Sequence, residues 1–156
     1  MIGGTGTVTG RTLPPCPGRA SGAGTAFHWQ GILELAPLDS AIPCFRLHAV
    51  AVLKEWGLPR DLIADAEMLV SELMTNSCDA SIVLPERPPV TLRLLATGTS
   101  LVIEAWDHSP LDPEPRDADA DDECGRGLTV VAALSTRWGW ERTDYQRKVV
   151  WAELAL

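Results

Sequence analysis

No apolar run in this sequence approaches the roughly 20 residues that a helix needs to cross a bilayer. The opening residues carry neither a basic patch nor the apolar stretch of an export signal, so a cytoplasmic location is expected. Basic charge is scarce: 13 Lys and Arg face 21 Asp and Glu, a net charge of -8. That balance argues against nucleic acid or an anionic membrane surface as a partner, since both attract basic patches. Cys16, Cys44, Cys78 and Cys124 contain no CxxC pair, which makes reduced thiols the simpler expectation and zinc an unlooked-for one. His28, His48 and His108 share no spacing, and no Ser/His/Asp or Cys/His arrangement points to a hydrolase.

What is present is an ordinary globular composition, 46% hydrophobic and 22% charged over 156 residues, enough for one domain with one core. Residues 1–25 are rich in Gly, Thr and Pro and poor in large apolar side chains, so a disordered tail is expected there. Their glycines show no GxGxxG register and no GK[ST], and so make no phosphate loop. The six tryptophans read as core and sheet packing, because an acidic chain offers nucleic acid no stacking platform.

Residues 26–156 read as a single domain. A strand is expected from Phe27 to Leu35. A helix follows from about Ser40 to Trp56, with Asp39 or Ser40 as its cap and Gly57 and Pro59 as stop signals. A second helix runs from about Asp61 to Ser77 or a little beyond. Strands at 90–95 and 101–106 form a hairpin turned at Gly98, and an irregular acidic stretch covers 108–124. A helix over about 128–137 and strands at 138–142 and 148–154 complete the chain. The order predicts an α+β fold, a two-layer α/β sandwich whose mixed sheet is covered on one face by about three helices.

Chemistry gathers in three places. On the second helix Leu62, Ala66, Leu69 and Leu73 form an apolar stripe, and Glu72 and Asn76 lie at its margin one turn apart. Helix flanks often carry such residues as a solvated edge. A carboxylate and an amide are also the all-oxygen donors that Mg²⁺ prefers, and Glu72 could polarise an attacking hydroxyl. Asp107 ends a strand at the sequence Asp-His-Ser-Pro, where it is either a turn aspartate or an acceptor for an exocyclic amino group. Gly125-Arg126-Gly127-Leu128 opens a helix, where backbone N–H groups can approach an anion, although a lone GxG is often only a tight loop.

Taken in order, Trp56-Gly57-Leu58-Pro59, Ser71-Glu72-Leu73-Met74-Thr75-Asn76, Asp107-His108-Ser109-Pro110, Gly125-Arg126-Gly127-Leu128 and Lys148-Val149-Val150-Trp151-Ala152-Glu153-Leu154 resemble the ATP-binding domains of the GHKL superfamily, which have the Bergerat fold. Within it, the bacterial anti-sigma-factor serine/threonine kinases are the most similar. The resemblance implies a histidine kinase-like ATPase fold binding ATP and Mg²⁺. It implies Asn76 as the Mg²⁺ ligand, Glu72 as the general base, Asp107 as the acceptor for the adenine amino group, and Gly125, Arg126 and Gly127 around the phosphates. It further implies a serine/threonine kinase whose substrate is a STAS-type anti-anti-sigma protein, with a sigma factor as the other partner; a homodimer is compatible with it. Close relatives have Ala and His where this chain has Ser77 and Ala80, and their Gly-Gly-Lys turn is here Gln146-Arg147-Lys148.

Residues 107–123 hold eight acids and one base, a net -7. A lid of that charge would oppose a triphosphate, whereas a solvated loop would not. An EF-hand fails, since Asp122 stands at the loop glycine and Leu128 at the bidentate glutamate. Two other readings therefore stand beside the kinase: a module that binds nucleotide or a partner without turnover, and a detached ATP-binding half of a sensor histidine kinase.

Overall fold

The computed structural model describes residues 28–113, 126–143 and 146–156; of Arg126 it describes the backbone alone. The expected tail at 1–25, Gly125 and acids 114–123 lie outside the described residues. Strand β1 (Trp29–Leu35) leads into helix α1 (Ala41–Glu55) and helix α2 (Arg60–Ile82). A hairpin of β2 (Val90–Ala96) and β3 (Ser100–Asp107) follows, then α3 (Arg126–Leu134), β4 (Arg137–Arg142) and β5 (Lys148–Ala155).

Local chemistry explains the two long helices. In α1 the buried residues Ala41, Phe45, Ala49 and Leu53 recur every fourth position, so one face meets the core. The helix stops at Gly57, whose φ of +73° lies in the left-handed region that a side chain resists. Pro59 then starts α2, whose buried residues run from Ile63 through Ala66, Leu69, Val70, Leu73 and Met74 to Ser77, Cys78 and Ser81. The helix ends at Ile82, in line with an expected end at Ser77 or a little beyond. Small Ser77 and Ser81 continue the buried stripe there and let the helix lie close to the sheet.

The five strands lie in the order β1-β2-β3-β5-β4. Every pairing is antiparallel, which corrects the expected mixed sheet. The reason is topological. Strand β4 does run parallel to β3, but β5 inserts between them and pairs antiparallel with both. Alternate residues of the sheet, such as Leu92, Leu94, Leu101, Ile103, Ala105 and Ala152, join the helices in one core. Trp106 and Val149 belong to a second cluster, with Trp151 packed on it. No helix among the described residues is long and apolar enough to cross a membrane.

This layering fixes one useful position. Residues 101, 103 and 105 of β3 face the helices, so Asp107 at its end faces them too, beside the C-terminal half of α2.

Candidate functional site

Between α2, the end of β3, the start of α3 and the start of β5 lies a cleft of about 670 Å³. Helix α2 contributes Leu73, Asn76, Ser77, Asp79, Ala80, Val83 and Leu84 to its lining. Asp107 and Ser109 to Pro113 form the opposite wall, Gly127 and Leu128 come from α3, and Lys148 and Val150 from β5. At 1.5 Å per helical residue, Asn76 and Val83 are about 10 Å apart along α2. The lining thus runs along α2 from a polar end at Asn76, beside Gly127, to an apolar end at Val83 and Leu84.

Asp107 is 1% exposed. Its Oδ1 accepts a hydrogen bond from the Ser109 backbone N–H at 2.8 Å and lies 3.5 Å from Lys148 Nζ. Burial raises its pKa above the usual carboxylate value; the Lys148 ammonium, the Ser109 N–H and Ser77 oppose that rise without cancelling it. Ser77 Oγ is buried and forms no hydrogen bond of full geometry, yet its hydroxyl is near enough to favour the ionised carboxyl. No hydrogen bond to Oδ2 forms among the described residues. Burial and then the charge of Asp39 also raise Asp79, at the cleft wall.

At the polar end α3 meets α2 through Gly127. A Cβ there would sit 2.9 Å from Glu72 Oε2, 3.3 Å from Asn76 Nδ2 and 3.5 Å from Asn76 Oδ1. The absence of a side chain is what lets the start of α3 approach both polar groups. Glu72 is half-buried and Asn76 exposed. Asn76, Asp107 and Gly127 thus line one cleft, with Glu72 directly behind Gly127. Gly125 and the Arg126 side chain lie outside the described residues.

The donor set bears on the implied metal. No group of three or more His, Cys, Asp or Glu able to hold a metal occurs among the described residues. Asn76 and Glu72 are hard oxygen donors, and one or two such ligands fit Mg²⁺ that keeps waters and shares a substrate's phosphate oxygens.

Three features went unread in the sequence. Asp79 lies in the wall, Lys148 reaches Asp107, and Arg142 holds the loop after it. Lys148 was visible as part of a terminal motif, but its partner is an aspartate 41 positions earlier that only the β3–β5 pairing brings opposite. Of the acidic run, Asp107 is in the cleft and Asp112 pairs with Arg142 at 2.7 Å.

No curated protein sequence matches the chain. Among solved structures, a chain of the SiaB-SiaC complex from Pseudomonas aeruginosa is similar, with a TM-score of 0.54 at 12% identity, covering 80% of this chain and 89% of that one. At that identity the likeness concerns the fold. The model of the histidine kinase-like ATPase domain matches residues 36–153, from the end of β1 to within β5 and across the whole cleft. The chain belongs to the histidine kinase-like ATPase domain family.

Proposed function

We propose that the cleft binds ATP with Mg²⁺ and that the protein phosphorylates a serine or threonine of a STAS-type anti-anti-sigma protein, in a circuit that includes a sigma factor. The observation that supports this best is the placement of Asp107. A buried carboxylate with one oxygen held by the protein and the other taking no hydrogen bond from the described residues suits an adenine amino group. The apolar end of the cleft suits the base, and Asn76 and Gly127 at the other end suit phosphates. That a similar fold occurs in the SiaB-SiaC complex supports a protein partner.

In this reading Asn76 holds Mg²⁺, which neutralises phosphate charge when bound. The backbone at the N-terminus of α3 faces the phosphates, where the helix favours negative charge. The acceptor hydroxyl oxygen attacks the γ-phosphorus in line, the bond to the bridging oxygen breaks, and ADP leaves. Glu72 takes the hydroxyl proton. Positioning and charge neutralisation supply most of the rate enhancement in such transfers.

Titration of the purified protein with Mg-ATP tests the site. Binding should be weakened about tenfold or more by Asn76→Ala and by Asp107→Asn, the scale of losing one hydrogen bond to a charged group. No binding by the parent protein sinks the proposal. Transfer is read separately with radiolabelled ATP and a STAS-domain protein. Label that disappears in Glu72→Gln supports the kinase; nucleotide binding without any label leaves a binding module.

A further inference from the structure

In the loop that follows Asp107, Pro110 and Pro113 have no N–H to donate, and the N–H groups of Ser109 and Leu111 go to Asp107 Oδ1 and Ser109 Oγ, which leaves the loop carbonyls to find donors elsewhere. Two cations from the β4–β5 hairpin supply those donors. Arg142, the last residue of β4, donates from Nη1 to the Ser109 carbonyl at 2.9 Å and from Nη2 to the Pro110 carbonyl at 2.6 Å. The same guanidinium reaches Asp112 Oδ1 from Nε at 3.1 Å and from Nη2 at 2.7 Å. Lys148, the first residue of β5, donates to the Leu111 carbonyl at 3.0 Å. Three successive carbonyls thus end on two side chains.

That arrangement acts on Asp107. Lys148 Nζ is nearer to the Leu111 carbonyl than to Asp107 Oδ1, which is 3.5 Å away. The loop carbonyl therefore draws the ammonium partly off the carboxylate. The Ser109 N–H, carried by the same loop, fixes the same Oδ1 at 2.8 Å. A displaced loop would take away the N–H and release Lys148 to close on the carboxylate in competition with any ligand donor.

We propose that Arg142 is a positioning residue for base recognition. By clasping the Ser109 and Pro110 carbonyls, it holds Asp107 where Oδ2 accepts a hydrogen bond from an amino group at the six-position of a purine, and so makes the cleft prefer adenine to guanine nucleotides. This rests on the nucleotide reading of the cleft given above. A guanidinium suits the task because its planar fork serves two adjacent carbonyls and a carboxylate at once, which an ammonium cannot.

The test is equilibrium binding of ATP and of GTP to the whole chain, with the melting midpoint of the unliganded protein measured in parallel. The parent should bind ATP more tightly than GTP, whose six-position carries an oxygen. In Arg142→Ala, ATP binding should weaken about tenfold, as for loss of one hydrogen bond to a charged group. GTP binding and the unliganded midpoint should hardly move, since Arg142 sits at the exposed end of an edge strand. Arg142→Lys should fall between the two, and it carries the test alone if the alanine variant melts too early to assay. Equal weakening toward ATP and GTP overturns the inference, because Arg142 would then serve the phosphates or the fold at large. Unchanged ATP binding overturns it as well. A parent that binds neither nucleotide overturns instead the reading of the cleft on which the inference stands.

Discussion

Cys78 lies in the core behind the cleft, between the lining residues Ser77 and Asp79 in sequence. The residue is buried in the core beneath Asp79. Burial first, and then the charges of Asp79, Asp39 and Asp107, push its thiol up to about 11. The thiolate is the reactive form, so at pH 8 Cys78 should resist iodoacetamide while exposed Cys44 reacts. Peptide mapping of the alkylated native protein checks this; equal labelling of the two sites would contradict it. Stability has a definite sign here. The folded protein holds the thiol proton more tightly than the unfolded chain, whose value is about 8.5. The contribution is therefore complete below about pH 8.5 and lost as pH rises through about 11. Urea midpoints that fall between pH 8.5 and 10.5 in the parent should fall less steeply in Cys78→Ala.

Two glycines test how elements are held together. At Gly127 a new Cβ meets Glu72 Oε2 at 2.9 Å, the far end of a flexible side chain, so Gly127→Ala should turn Glu72 aside at little cost to folding. At Gly139 of β4 a Cβ meets Trp151 Cζ2 at 2.9 Å and Cε2 at 3.2 Å, a rigid ring on the neighbouring strand. Gly139→Ala should cost about 1–3 kcal/mol in chemical denaturation, as overpacking does, against under about 1 kcal/mol for Gly127→Ala. Phosphoryl transfer should respond in the opposite order. The difference also marks what was legible in the sequence. Cap and stop signals placed α1 within a few residues, with Asp39 or Ser40 before it and Gly57 and Pro59 after it, and the helical spacing of Leu62, Ala66, Leu69 and Leu73 placed α2. That spacing also brought Glu72 and Asn76 to one edge of α2. The insertion of β5 between β3 and β4 was not legible, since nothing within either strand specifies a neighbour. Arg142 was missed on that account. Its partners lie 30 to 33 residues away, and a lone arginine at a strand end carries no local pattern.

Across the whole molecule the sheet has two unlike faces, and both are buried along β2 and β3. One is the apolar core under the helices. The other carries Glu104, 0% exposed, and Arg93, 6% exposed, joined at 2.6 Å. Trp106 donates its indole N–H to the same Glu104 Oε2 at 2.9 Å, and Arg93 lies over its ring at 5.1 Å. A buried pair of this kind adds little over apolar side chains of similar volume, but removing one partner exposes the other to the full cost of burial. Glu104→Leu should therefore lose about 3 kcal/mol of unfolding free energy, a large part of the 5–15 kcal/mol typical of a domain. Arg93→Met combined with Glu104→Leu should recover at least half of that loss. Urea denaturation of the two variants beside the parent measures both, and a double variant as unstable as the single one would show that Arg93 contributes independently of the pair. Nucleotide affinity supplies the control for location. Trp106 and Asp107 are adjacent but point to opposite faces, so the folded double variant should bind ATP within about twofold of the parent if the cleft and this network are energetically separate.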